Sequence, residues 1–104
     1  MHPPVTAANY VAASDILSTN AEGIRADLGR IAAQVSDNSI LTIDLRACRL
    51  VDSVGLNLIV STIKQCRTRG IKIRLLVAHP NLHRILTFTR LGQYADIVRE
   101  SAGA

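Results

Sequence analysis

Apolar residues recur along the chain in two rhythms, one of about every third or fourth residue and one of every second. A small-residue stretch over 5–13 comes first, with Tyr10 and Val11 as its best strand positions. Thr19 is placed to cap a helix, with Glu22 reaching back three residues later in the manner of a capping box. Ile24, Leu28, Ile31 and Val35 then follow at spacings of 4, 3 and 4, one face of an amphipathic helix. Asp37-Asn38-Ser39 reads as a turn. Ile40 to Leu45 is short and nearly all apolar, the pattern of a strand covered on both faces. From Ser53 a second helical stripe runs through Leu56, Ile59, Val60, Ile63 and Cys66, closed by Arg67, Arg69 and Gly70. Ile71, Ile73, Leu75 and Val77 alternate with Lys72 and Arg74 as a strand with one dry face. Pro80 opens a third helix with Leu82, Ile85, Leu86 and Thr89 on its stripe, and Leu91-Gly92 ends it. Ile97-Val98 adds a last short strand before a small-residue tail.

Strand 40–45, helix 53–69 and strand 71–77 form a βαβ unit, which requires a parallel pair and a right-handed crossover. The predicted fold is therefore α/β: a small mixed β-sheet with a parallel βαβ core, helices flanking it on each side, and one domain over residues 1–104. In such sheets functional groups gather at the carboxyl ends of strands, where helices begin. Here that place is residues 45–56.

Composition narrows the possibilities. Hydrophobic residues make up 48% and charged residues 19%, enough apolar surface for one core in 104 residues. No apolar run reaches the roughly 18–20 residues of a membrane span. Met1-His2-Pro3-Pro4 does not open a signal peptide, and two cysteines make no disulfide framework, so a reducing cytoplasm is expected. The net charge of +4 raises nucleic acid as a partner, but the basic residues are dispersed and Tyr10, Phe88 and Tyr94 are the only aromatics for bases to stack on. No cofactor or metal is expected. His79 and His83 lack a third ligand, Cys48 and Cys66 have no histidine close in sequence, and the six glycines stand alone rather than in a phosphate loop.

At the strand end stands Leu50-Val51-Asp52-Ser53-Val54-Gly55-Leu56. Ser53 is positioned as the helix N-cap. A phosphate on its hydroxyl would gain about 0.3–2 kcal/mol from the helix dipole. It would lose roughly 1–3 kcal/mol to Asp52 about 6 Å away. The two are comparable, so modification would act on whatever docks there rather than on the fold.

Asp52-Ser53-Val54-Gly55-Leu56 after the strand Leu41-Thr42-Ile43-Asp44-Leu45 resembles the signature of STAS domains, including the anti-sigma factor antagonists. The resemblance continues through Arg69 to Val77, His79-Pro80-Asn81-Leu82 and Leu86 to Leu91, covering roughly residues 38–98. Asp15 matches an acid before the family's first helix. The resemblance implies phosphorylation of Ser53 by an anti-sigma factor that is also a serine protein kinase. That kinase would be the partner of the unphosphorylated form. Asp15, Asp44 and Asp52 would frame the docking surface, with Val54 beside the acceptor and Gly55 and Leu56 setting the helix start. Val54 departs from the family, which carries a second Ser or Thr there. Shortened STAS proteins also serve as subunits of lipid-transport ABC complexes and of chemotaxis or stress-signalling assemblies. The expectation is thus a non-enzymatic, phosphorylation-gated binding regulator of transcription, or alternatively a constitutive subunit of such a complex in which Ser53 only caps a helix.

Overall fold

The computed structural model describes residues 5–100; the opening Met1–Pro4 segment and the closing tail lie outside the described residues. The elements run β1 (Val5–Val11), α1 (Ala21–Gln34), β2 (Val35–Asp44), α2 (Ser53–Arg67), β3 (Lys72–Val77), α3 (Pro80–Phe88), a short 3-10 turn (Leu91–Gln93) and β4 (Asp96–Arg99). The α/β expectation holds. The strands lie side by side in chain order, β1-β2-β3-β4, and every pairing among the described residues is parallel, where a mixed sheet was expected.

Sequential parallel strands joined by right-handed crossovers place every connecting helix on the same side. Burial follows that rule. Leu41, Ile43, Ile73, Leu75 and Val77 are buried under helical Leu28, Leu58, Ile59, Ile63, Leu82 and Leu86. The alternate positions Ile40, Lys72 and Arg74 face out, and Ile40 is 42% exposed. The sheet is covered on one face, so the expected helix on each side and the doubly covered strand at 40–45 are both corrected.

Local details shift for identifiable reasons. Strand β2 starts at Val35, which leaves the stripe of α1, and the 37–39 turn is a kink inside it. Asn38 has φ 62, and the register steps from Val5–Val35 to Ala7–Ile40, so two steps of β1 span five of β2. Arg69 was expected to serve the carbonyl end of α2. Its guanidinium instead donates to Ala32 O at 2.7 Å and to Val35 O, closing α1, while Nε meets Asp37 Oδ1 at 2.8 Å. The cap of α1 is Asn20 rather than Thr19, and no capping box forms. The Asn20 side chain accepts from Leu17 N at 2.8 Å and donates to Asp15 O at 2.7 Å. The buried stripe of α2 centres on Gly55, Leu58, Ile59, Thr62, Ile63 and Cys66, with Leu56 and Val60 at its margin. Pro80 opens α3 as expected, but that helix ends at Phe88, and buried Leu91 starts the 3-10 turn.

Gly70 carries the chain from α2 into β3 at φ 71, and an added Cβ would stand 2.2 Å from Asn38 Oδ1. Gly70→Ala should therefore destabilise the domain by about 1–2 kcal/mol, from the left-handed backbone alone. Urea denaturation checks this through a lowered midpoint at unchanged slope.

Candidate functional site

Two loops meet at the carboxyl end of the sheet, one running from β1 to α1 and the other from β2 to α2. A lone parallel bridge joins Ile16 to Val51: Ile16 N donates to Leu50 O and Asp52 N donates to Ile16 O, both at 3.3 Å. Two carboxylates stitch the seam on either side. Asp15 Oδ1 accepts from Arg49 N at 2.8 Å and Leu50 N at 3.1 Å. Asp52 Oδ1 accepts from Gly55 N and its Oδ2 from Ser18 N, each at 2.8 Å.

The N-cap of α2 is thus Asp52, and Ser53 is the first residue inside the helix. An ionised acceptor makes the stronger bond to backbone N–H and also complements the positive helix end. Ser53 is released from capping. It is exposed, and its side chain has no intramolecular partner among the described residues. Exposed Leu50 (52%) and Val54 (41%) lie near it in the chain, on either side of the Asp52-Ser53 pair.

At Gly55 the first turn of α2 packs directly against the loop from β1 to α1. A Cβ there would stand 2.3 Å from the Ile16 carbonyl oxygen and 2.9 Å from Val51 Cγ1. Leu56 is half-buried against the core.

Asp15, Asp52, Ser53 and Gly55 are therefore brought together. Asp44 is not part of the seam. Its carboxylate is held by Arg46 through Nε at 3.0 Å and Nη2 at 2.8 Å, and Arg46 also reaches Glu100 at 3.8 Å. That pairing holds the Asp44 carboxyl below its ordinary value. Ser18 and Ile16, which complete the seam, carry no local signal, because their partners lie more than thirty residues further along the chain.

The remaining chemistry-bearing side chains have structural settings. Cys48 is fully buried, its thiol donating to Ser14 O at 2.7 Å. Burial, with Asp15 and Asp44 adding to it, pushes that thiol up to about 11, opposite to the lowering that nearby arginines would cause. It stays protonated and unreactive at neutral pH. His79 caps α3, its Nδ1 accepting from Asn81 N at 3.3 Å. Among the described residues no three His, Cys, Asp or Glu side chains cluster to hold a metal. Nor is any described helix long and apolar enough to cross a membrane.

Residues 6–104 match the STAS domain family. The chain belongs to that family. Solved structures superpose on most of it. One is a putative anti-sigma factor antagonist from Thermotoga maritima, at 19% identity and TM-score 0.71, covering 88% of this chain and 80% of that one. A second is a sulfate transporter family protein from Wolinella succinogenes, at 14% identity and TM-score 0.71, covering 94% and 80%. A third is the STAS domain of a SulP transporter from Vibrio cholerae, at 19% identity and TM-score 0.68, covering 93% and 76%. No curated protein matches the sequence. At these identities the neighbours establish the STAS fold, which both antagonist-type and transporter-type proteins share.

The seam gives two expectations. Gly55→Ala should cost about 1–3 kcal/mol, because the atom it strikes is backbone that cannot swing aside. Gly29→Ala, where a Cβ meets nothing within 4 Å, should stabilise α1 by about 0.5–1 kcal/mol. Thermal melts of the two variants should move in opposite directions.

The Asp15 and Asp52 carboxyls are held below 3.8 chiefly by their backbone donors, from Arg49 and Leu50 for the first and from Gly55 and Ser18 for the second. Their stabilisation is complete above that value and is lost as pH falls through the lowered folded-state values. Carboxyl NMR titration should give both midpoints below 3.8, with the Ser18 and Arg49 amides shifting in step.

Proposed function

We propose that this STAS domain is a non-enzymatic protein-binding regulator of the anti-sigma factor antagonist type. It docks through the Asp15–Gly55 seam onto an anti-sigma factor that is also a serine kinase, and phosphorylation of Ser53 releases it. The observation that carries this reading is the freedom of Ser53. Asp52 holds the helix cap, so the serine hydroxyl is exposed at a helix N-terminus while holding no part of the fold.

A phosphoserine carries about −1.5 to −2 charge and three acceptor oxygens. The helix end tolerates it, whereas an apolar contact made through Leu50 and Val54 does not. Burying that charge without a cationic partner costs several kcal/mol. Every ~1.4 kcal/mol is a factor of ten in affinity. Asp15 and Asp52 act in this reading by holding the seam in shape, Val54 contributes contact area, and Asp44 stands apart at the neighbouring strand end. The working place is the bacterial cytoplasm.

A second reading has its own support. Val54 removes the neighbouring hydroxyl that antagonists carry, and two of the structural neighbours are described as transporter proteins. In that case the domain is a constitutive subunit of a transporter or signalling assembly, and Ser53 has no switching role.

Tagged wild type, Ser53→Ala and Ser53→Asp proteins, used to retrieve partners from native lysate, separate the two. The switch predicts a serine kinase held by wild type and Ser53→Ala, bound at least about 100-fold more weakly by Ser53→Asp. It also predicts phosphate transfer by that kinase to wild type but not to Ser53→Ala. Equal affinity of all three for one partner overturns the switch, and recovery of transporter or scaffold subunits by all three supports the constitutive role.

A further inference from the structure

The sheet has two edges, and they are unequal. At β4 the edge is four residues long and carries Asp96 and Arg99. That is the short, charged form that blocks pairing with other chains. At β1 it is Val-Thr-Ala-Ala-Asn-Tyr-Val, seven residues with no charge, proline or glycine. Ala12 N donates to Asp44 O on the β2 side. Backbone groups alternate in direction along a strand, so Ala8 and Tyr10 also face β2, while Ala7, Asn9 and Val11 turn theirs outward. No described residue pairs with these outward groups or with the Asn9 side chain.

We infer that the β1 edge is a self-association surface, where β1 of a second copy pairs antiparallel about a two-fold axis at Asn9 and joins the two sheets into one. The strand is its own complement in that register. Counting outward from Asn9, Ala7 lies opposite Val11 and Ala8 opposite Tyr10, so each larger side chain meets an alanine. Val11, 63% exposed, gains cover on the open face of the sheet, and half-buried Tyr10 gains it on the helical face. At the axis the two Asn9 amides face each other, each with a donor and an acceptor to offer. Every hydrogen-bonded antiparallel pair exchanges two main-chain bonds, about six over this stretch.

The helix layer selects a folded copy over a lone added peptide. Arg25, Gly29 and Ala33 of α1 line the groove toward α2. Ile24, Asp27 and Ile31, spaced three and four apart, form the opposite flank. Burial, with Asp27 adding to it, raises the Tyr10 phenol above its ordinary value, which places that flank on the β1 side. Ile24 and Ile31 are only half-buried. An axis perpendicular to the sheet keeps both helix layers on one side and sets the two α1 helices side by side across it. A single peptide strand brings no such cover. Arg30 pairs Asp27 at 2.8 Å, so the flank carries no net charge.

The paired stretch, Ala7 to Val11, is about 17 Å long at about 3.4 Å per residue. That is the small end of interface sizes, so the dimer is weak and forms at high protein concentration. It does not depend on the reading given to Ser53, which stands at the start of α2.

Sedimentation equilibrium of the whole chain from about 10 µM to about 1 mM tests this, over a range that brackets a weak contact. The average mass should rise from the 11.2 kDa monomer toward twice that value. Asn9→Lys and Asn9→Asp each set like charges opposite one another at the axis. Each should weaken association at least about tenfold, and an equimolar mixture of the two should restore it. Arg99→Asp, on the other edge, should change nothing. Asn9→Cys should link into a disulfide dimer on mild oxidation, because hydrogen-bonded antiparallel partners stand about 5.5 Å apart at Cα. The native Cys48 and Cys66 are buried and do not compete. Circular dichroism confirms folding of each variant, all of them at exposed positions. A constant monomer mass across the range overturns the proposal. So does association that the Asn9 charge variants leave unaltered or that their mixture fails to restore.

Discussion

The handedness of the crossover is the constraint on which the rest of this molecule depends. A right-twisted strand returns to a parallel neighbour through a helix on one side only. Because β1 to β4 are laid down in chain order, that choice is made three times in the same sense. The helices then share one face, which supplies a single core beneath them. The loops leaving β1 and β2 emerge side by side at the same sheet edge, which is what allows Ile16 and Val51 to pair. The second face of the sheet keeps Ile40, Lys72 and Arg74 in solvent as the complement of the same geometry.

At that edge the acidic residues hold backbone together. Asp15 and Asp52 spend three carboxylate oxygens on four backbone N–H donors. Neither side chain is deeply buried, so the benefit lies in register: each carboxylate ties segments more than thirty residues apart. The close contact at Gly55 follows from the same geometry, since α2 can start against the Ile16 carbonyl only where no Cβ intervenes. A motif read along the chain as Asp-Ser-x-Gly is, in three dimensions, a cap, a free hydroxyl and a contact point, in that order.

Much of this was legible in the sequence where the physics is local. Alternation at Ile71 to Val77, the stripe of α2 and the proline start of α3 depend on neighbours within a few residues, and each element forms. The resemblance of residues 52–56 to STAS domains pointed to the correct family. What was not legible depends on distant partners. Ser53 and Asp52 are both competent caps by composition, and Asp52 takes the role while its second oxygen holds Ser18, a residue 34 positions earlier. Arg69 follows α2 in sequence but closes α1, because the kink at Asn38 brings those carbonyls to it. Ile40 made its strand look covered on both faces, since one exposed isoleucine in an apolar run carries no mark of the side it faces.

The transfer of the cap from Ser53 to Asp52 decides what kind of regulation the fold permits. Had the serine held the helix, any change at its oxygen would have loosened α2 and through Gly55 the whole seam, coupling modification to unfolding. With the cap on a carboxylate, a change of charge at Ser53 leaves the Gly55 and Ser18 bonds in place and is felt outward, at Leu50 and Val54. The same division holds across the molecule. The seam occupies the strand ends and the bare face occupies the flank. Both follow from the placement of the helices on one face of the sheet.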